Sequence, residues 1–279
     1  MHTQIIDTRA IKYWTFHDSK LPTIVMIHGI TGNHKGFQYI APLLPEFHLI
    51  APDMLGFGAS DLPRREDWSI EGLARRTNEF VRSLNLPEPP IILGHSMGGL
   101  VVSAMVDQAP ELFSDVVLIS PVPTSIRAND RRRPGAILAA LQHRLGARSS
   151  KVEKHIVKSR TISRVLTKFM MKTSDKELQK AIIEHHFDNL DYISDVEFYS
   201  KLYTDINGQG AIDYAESLRD KRVALIVGDS DDVTPLREEL KLRDAIEPDT
   251  FAIIESVGHL IHYEKPREAA NTIKQFLHS

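Results

Sequence analysis

The chain has 279 residues, of which 42% are hydrophobic and 25% charged, as is typical of a globular protein with a sizeable core. Its formal net charge of −3 gives no global field for binding nucleic acid or an anionic membrane. The absence of cysteine excludes a disulfide framework, thiolate zinc sites and a cysteine nucleophile. No apolar run reaches the roughly 18 residues needed to span a membrane, and no secretory signal is visible at the N-terminus. We therefore expect a cytoplasmic protein with no nucleic-acid partner, and no pattern indicates its oligomeric state.

Short apolar runs alternate with helical patterns along most of the chain. In order, the runs are Thr23–Ile27, Phe47–Ala51, Pro90–Leu93, Asp115–Ile119, Arg222–Val227 and Thr250–Ile254. Their nearly continuous hydrophobicity indicates strands buried on both faces, as in a parallel sheet covered by helices. Ile5–Ile6 and Ile11–Phe16 predict an antiparallel edge before them. The alternation favours an α/β fold with a doubly wound sheet.

The alternation breaks between residues 122 and 205, where no strand-like run occurs. Helical patterns begin in this stretch at Pro134, near Ser149, at Ser174 and at Ser194. The last two starts fit capping boxes, in which a Glu three residues later binds back to the capping residue. We predict a helical cap insertion over residues 122–205, with residues 1–121 and 206–279 forming the core domain.

The most informative motif is Gly94-His95-Ser96-Met97-Gly98, between a predicted strand and a predicted helix. A serine at such a turn holds its hydroxyl clear of the sheet, and the two glycines leave room for the turn. The Met97 amide then lies at a helix N-terminus, where it can donate to a developing oxyanion. This arrangement predicts Ser96 as the nucleophile of a serine hydrolase.

A serine hydroxyl needs a base to take its proton, and the base needs a group that orients it. His259 follows the last predicted strand, at the sheet edge where loops meet ligands, and is favoured as the base. His262 is interpreted as a surface residue of a terminal helix. The loop after the preceding strand offers Asp229, Asp231 and Asp232, and one of them is expected to bind the histidine.

Two glycine-containing loops follow the first two core strands. Residues 28–32 (H-G-I-T-G) can direct the backbone N–H of Ile30 at the same oxyanion as Met97, with His28 ordering the loop. Residues 53–61 (D-M-L-G-F-G-A-S-D) have neither P-loop nor dinucleotide-binding spacing. We interpret this second loop as a structural turn that lines the mouth of the pocket.

Five ordered motifs carry a resemblance to a known family: H-G-I-T-G, D-M-L-G-F-G-A-S-D, G-H-S-M-G-G, G-D-S-D-D-V-T-P and G-H-L-I-H-Y-E-K-P. The chain resembles the α/β-hydrolase superfamily, and within it the capped serine esterases and C–C bond hydrolases. The resemblance implies an α/β-hydrolase fold, with a mostly parallel central sheet flanked by helices and a helical cap insertion. It also implies Asp231 as the acid and His259 as the base, because these residues occupy the family's acid and base positions in the last two motifs.

Together, the residues and the resemblance predict a carboxylesterase-like serine hydrolase that acts on a small-molecule ester of a small to medium acyl group. Ser96 would form an acyl-enzyme, with Asp231 and His259 completing the triad and the amides of Ile30 and Met97 forming the oxyanion hole. No metal or organic cofactor is implied. Two alternatives stay open: hydrolysis of a C–C bond in dienone acids of the meta-cleavage type, and a ligand receptor that hydrolyses slowly or not at all.

Overall fold

A computed structural model describes residues 1–125 and 157–279 of the chain. Its strands are β1 (His2–Ile6), β2 (Arg9–Phe16), β3 (Thr23–Ile27), β4 (His48–Pro52), β5 (Ile91–His95), β6 (Asp115–Ile119), β7 (Arg222–Gly228) and β8 (Thr250–Ile254). They form one sheet in the spatial order β1-β2-β4-β3-β5-β6-β7-β8. β1 and β2 pair antiparallel with their neighbours, whereas β3 to β8 run parallel to one another. The predicted edge and the predicted parallel core are confirmed.

Helices lie on both faces of this sheet. They are α1 (Ile70–Ser83), α2 (Met97–Gln108), α3 (Arg160–Met170), α4 (Lys176–Asp191), α5 (Val196–Gly208), α6 (Ala215–Arg219), α7 (Leu236–Ile246), α8 (Ile261–Glu264) and α9 (Pro266–His278). Ser69 caps α1 by accepting a hydrogen bond from the Gly72 N–H, and Pro266 opens α9, where a missing N–H costs nothing. In the described part of the chain, no helix is both long and apolar enough to cross a membrane.

Alternate residues of β3 enter two apolar clusters, one on each face of the sheet. Val25 and Ile27 belong to the cluster that includes α1 and α2, and Ile24 and Met26 to the cluster that includes α9. All four side chains are buried. This burial on both faces explains why the strands are hydrophobic throughout instead of alternating with polar residues.

Between β6 and β7 the described residues form α3, α4, α5 and the short α6, and no strand. The helix starts predicted at Pro134 and near Ser149 lie outside the described residues. The predicted caps of the next two helices are wrong by one residue, because Asp175 caps α4 and Asp195 caps α5. Each of these carboxylates accepts backbone N–H bonds from the first turn of its helix, as a carboxylate at this position can do. The division into core and cap stays a prediction.

Candidate active site

Ser96 lies at a strained turn between β5 and α2. Its φ of 57° and ψ of −123° place a non-glycine residue at positive φ. A Cβ at Gly94 would lie 2.4 Å from the Gly98 carbonyl oxygen, and one at Gly98 would lie 2.2 Å from the Ile27 carbonyl oxygen. Both glycines are therefore required for the close approach of β5, α2 and β3. The turn leaves the Ser96 hydroxyl facing the ring of His259.

Hydrogen bonds join Ser96, His259 and Asp231 in one chain. Ser96 Oγ lies 2.7 Å from His259 Nε2, and His259 Nδ1 lies 2.8 Å from Asp231 Oδ2. The three residues follow β5, β8 and β7, whose carboxyl ends meet at one edge of the sheet. All three side chains are buried, so water competes little with these bonds. This geometry can transfer a proton from the serine hydroxyl to the imidazole.

Only one of the three aspartates of the loop after β7 reaches the histidine. Asp231 Oδ1 accepts hydrogen bonds from the backbone N–H groups of Val233 and Thr234, at 2.7 and 2.9 Å. Burial alone would raise the pKa of Asp231, but His259 and the hydrogen bonds from Thr234 outweigh it and hold the pKa below its usual value. Asp229 and Asp232 are exposed. Asp231 therefore stays ionised beside the imidazole.

His262 is not the surface residue that the sequence suggested. It is only 4% exposed, and its ring packs against His95 with the centroids 4.1 Å apart. Burial, followed by the neighbouring His95, lowers its pKa well below the usual value, so the ring is neutral. The prediction was wrong because α8 lies beneath the catalytic loops, a tertiary placement that a histidine in a short helix does not reveal.

The loop after β3 lies against Ser96. A Cβ at Gly29 would be 3.2 Å from Ser96 Cβ. His28 fixes the loop, because its Nδ1 donates to the Gly29 carbonyl at 2.8 Å and its Nε2 accepts from the Met54 N–H at 3.1 Å. Burial lowers the pKa of His28, which suits this neutral role.

Ile30 and Met97, whose amides the sequence predicts to form the oxyanion hole, both line the cavity at Ser96. Neither N–H makes a hydrogen bond to any other residue of the described ranges. Ile30 belongs to the loop that packs on Ser96, and Met97 is the first residue of α2. Two unused donors beside a serine hydroxyl can bind a negatively charged oxygen.

A cavity of about 240 Å³ opens at Ser96 and His259. Its apolar wall comes largely from the helices between β6 and β7 and includes Ile162, Leu166, Phe169, Met170, Leu190 and Ile206. Of the described residues that line it, none is Lys, Arg, Asp or Glu. The cavity can therefore hold an uncharged, mainly apolar molecule against the serine.

The glycine-rich turn over residues 53–61 does not line this cavity, contrary to the prediction. The buried Asp53 carboxylate holds the turn closed by accepting hydrogen bonds from the N–H groups of His34 and Ala59, both at 2.8 Å. A Cβ at Gly58 would collide with this carboxylate, and Gly58 has a φ of +53°. The turn is structural, as expected, but Gly58 leaves room for the buried Asp53 and Gly56 for Phe198, and neither lines the cavity.

Two contributors to the site escaped sequence reasoning. Thr234 donates its hydroxyl to Asp231 Oδ2 at 2.8 Å, and His95 Nε2 donates to the carbonyl of His259 at 3.0 Å. Burial, followed by the proximity of His259, lowers the pKa of His95 to about 3, so it is neutral. Their positions inside two of the five motifs were the only signal in the sequence. Within residues 1–125 and 157–279, no cluster of His, Asp and Glu is arranged to hold a metal ion.

A family model described as the alpha/beta hydrolase fold matches residues 22–266. The chain belongs to this family. The matched range includes Ser96, Asp231 and His259 as well as both glycine-containing loops. The sheet topology and the family match together confirm the α/β-hydrolase fold expected from the sequence.

Named relatives of this α/β hydrolase include lipases. Over 96 residues it is 34% identical to Lipase 3 of Moraxella sp. (strain TA144), covering 34% of this chain and 30% of that protein. Over 272 residues it is 24% identical to the monoacylglycerol lipase abhd6-A of Xenopus laevis, covering 92% of this chain and 75% of that protein. The chain thus spans less than a third of Lipase 3. These relatives support a hydrolase, and ester hydrolysis broadly.

Solved structures of the family share the fold at low sequence identity. The 2-hydroxy-6-oxo-6-phenylhexa-2,4-dienoate hydrolase of Rhodococcus sp. strain RHA1 matches with a TM-score of 0.78 and 21% identity, covering 100% of both chains. At this identity the similarity establishes the architecture alone.

Proposed function

We propose that this α/β hydrolase cleaves carboxylic esters of small to medium acyl groups through an acyl-enzyme on Ser96. The observation that carries the proposal is the continuous hydrogen-bond chain from Ser96 through His259 to Asp231. A serine, a base and an orienting acid in this order are what nucleophilic acyl transfer requires. The unused amides of Ile30 and Met97 supply the remaining part, a site for the oxyanion.

In the acylation step, Ser96 Oγ attacks the acyl carbon while its proton passes to His259 Nε2, 2.7 Å away. The Asp231 carboxylate accepts the Nδ1–H bond and stabilises the imidazolium that forms. The amides of Ile30 and Met97 bind the oxyanion of the tetrahedral intermediate. When the intermediate collapses, the leaving alcohol takes the proton from His259 Nε2 and the acyl group remains on Ser96.

In the deacylation step, a water molecule gives its proton to His259 Nε2 and attacks the acyl carbon. The second tetrahedral intermediate collapses and releases the carboxylic acid, and Ser96 Oγ recovers its proton from His259. Protons and bonds balance over the two steps, so ester and water give acid and alcohol. No further reactant is needed.

The helices between β6 and β7 are proposed to act as a cap that limits the size of the acyl group. Phe169 and Met170 of α3 and Tyr203 of α5 line the cavity. Phe198 and Tyr199 belong instead to the buried core. A cavity of about 240 Å³ suits short acyl chains, from acetate to about hexanoate, better than palmitate.

The lining favours a neutral ester over the dienone acid of the C–C hydrolase alternative. A dienone acid carries a carboxylate at neutral pH, and burying an unpaired charge is costly. The described part of the wall offers no Lys or Arg to pair with it. The receptor alternative would leave the hydrogen-bond chain and the two free amides without a role.

The test compares wild type with Ser96→Ala on p-nitrophenyl esters from acetate to palmitate and on a dienone acid. Turnover should fall by on the order of 10⁴-fold or more in Ser96→Ala, and a fluorophosphonate should label wild type at Ser96. Ser163→Ala is the matched control, because Ser163 lines the same cavity without contacting His259. Normal turnover in Ser96→Ala would reject the mechanism. Rapid cleavage of the dienone acid with negligible ester turnover would favour the C–C hydrolase, and ligand binding without any turnover would favour the receptor.

A further inference from the structure

The backbone of His259 is held from both sides by other parts of the molecule. Its N–H donates to the carbonyl of Met170, at the end of α3, over 2.8 Å. Its carbonyl accepts a hydrogen bond from His95 Nε2, the residue before the proposed nucleophile, over 3.0 Å. The position of the imidazole therefore depends on α3 and on the turn at Ser96 as well as on its own loop.

A second set of contacts ties the same region to α8. Residues 170–173, which we name the crossover segment, connect α3 to α4. Glu264 Oε2 accepts hydrogen bonds from the backbone N–H of Lys172, at 2.7 Å, and from that of Thr173. Lys172 Nζ also forms an ion pair with Asp232, the residue after Asp231. The crossover segment thus contacts the loops that carry both the proposed base and the proposed acid.

Of these contacts, the hydrogen bonds to Glu264 are the ones that can hold the crossover segment in a fixed position. The Lys172–Asp232 pair is largely exposed, and exposed ion pairs restrain little. Glu264 is half-buried and anchors two consecutive amides with one oxygen. A Cβ at Gly258 would lie 2.4 Å from the Met170 carbonyl oxygen, so the base loop is shaped for this close approach.

We propose that Glu264 is a positioning residue for His259, acting through the crossover segment. By fixing the amides of Lys172 and Thr173, it holds the Met170 carbonyl where it receives the His259 N–H. This role rests on the proposed function, in which His259 is the base. It also gives a purpose to the glutamate of the motif G-H-L-I-H-Y-E-K-P, which the triad and the oxyanion hole do not use.

The expected consequence of losing this contact is a slower chemical step with unchanged substrate binding. Glu264 does not line the cavity, so its removal should leave KM within about twofold. A base displaced by a fraction of an ångström transfers the serine proton poorly, and displacements near 1 Å cost about 10²-fold. We expect kcat of Glu264→Ala to fall by about 10- to 100-fold.

A series at this one position separates positioning from general destabilisation. Glu264→Gln keeps an oxygen that can accept from both amides, and burial already raises the pKa of Glu264, so the neutral amide should keep kcat within about threefold. Glu264→Asp keeps the carboxylate but is too short to reach both amides, so its kcat should lie below that of Glu264→Gln. Glu268→Ala is the matched control, because Glu268 is an exposed glutamate whose one ion pair among the described residues is with Lys265.

The experiment measures kcat, KM and the rate of fluorophosphonate labelling for wild type and these variants, with Ser96→Ala beside them. Both kcat and the labelling rate should decrease from wild type to Glu264→Gln, then to Glu264→Asp and then to Glu264→Ala, while KM stays nearly constant. If Glu264→Ala does not fold, the comparison of kcat between Glu264→Gln and Glu264→Asp still tests the positioning role. Equal kcat in Asp, Gln and wild type would overturn the positioning role. An active Ser96→Ala would instead overturn the proposed function, and the two failures are distinct.

Discussion

Replacing Glu239 with Gln should stabilise the protein increasingly as the pH rises. Glu239 lies in the first turn of α7 and is 0% exposed. Neither of its carboxyl oxygens has a hydrogen-bond partner among the described residues. The Thr234 hydroxyl nearby donates to Asp231 instead. Burial, followed by the negative charges of Asp231 and Glu238, raises the pKa of Glu239 well above its usual value.

The sign of the effect follows from where the proton is bound. Below the unfolded pKa of about 4.3, both the folded and the unfolded protein carry the proton on Glu239, and the group contributes no pH dependence. Above it, the unfolded state ionises while the folded state keeps the proton, so the free energy of unfolding falls by up to about 1.4 kcal/mol per pH unit. This loss continues until the pH passes the folded pKa. Over two pH units it amounts to about 2.8 kcal/mol, or roughly 5–10 °C in Tm.

The assay is urea denaturation of wild type and Glu239→Gln at pH 5, 6, 7 and 8. The difference in the free energy of unfolding should grow with pH in favour of the variant, because glutamine does not titrate. Glu216→Gln is the control, since Glu216 is exposed on α6, and it should show no such trend. A difference that stays constant from pH 5 to pH 8 would refute the reasoning, since Glu239 would then carry the same charge folded and unfolded.

Two further substitutions test the geometry of the site. Gly98→Ala places a Cβ 2.2 Å from the Ile27 carbonyl oxygen. The substitution should therefore destabilise the fold by about 1–3 kcal/mol and abolish fluorophosphonate labelling of Ser96. A variant that is fully stable and still labelled would contradict the close packing of the turn. Asp231→Asn should lower kcat by on the order of 10⁴-fold, because it removes the charge that stabilises the imidazolium. Asp229→Asn and Asp232→Asn should stay within about threefold of wild type, and an inactive Asp232→Asn would move the acid to that position.

The sheet and the turn at Ser96 could be predicted because their determinants are local in sequence. A strand such as β5 is buried along its whole length. A strand buried in this way appears in the sequence as an unbroken apolar run. Gly94 and Gly98 flank the serine within one motif, and each glycine fills a place where a Cβ would meet backbone atoms. A pattern of this kind needs no knowledge of distant parts of the chain.

The sequence predictions were wrong where the position of a residue depends on tertiary contacts. His262 is polar and closely follows a loop, yet α8 buries it beside the site, where its ring packs against that of His95. Ser174 and Ser194 precede aspartates that are equally good caps, and the sequence does not say which residue leaves the helical conformation first. The choice of Asp231 among three neighbouring acids likewise came from the family resemblance and not from spacing.

Two His–Asp pairs of equal length show why neither residue identity nor pairing alone defines the proposed base. His34 Nδ1 lies 2.8 Å from Asp53, the same distance as His259 Nδ1 from Asp231. Among the described residues, however, only His259 presents its other ring nitrogen to a serine hydroxyl. The His34 ring instead contacts Asp53, the aspartate that holds the turn over residues 53–61, and His34 does not line the cavity. The site is therefore defined by the serine hydroxyl at Nε2, the ring nitrogen of His259 that does not contact the aspartate. The serine, the histidine and the aspartate come together because β5, β7 and β8 end at the same edge of the sheet.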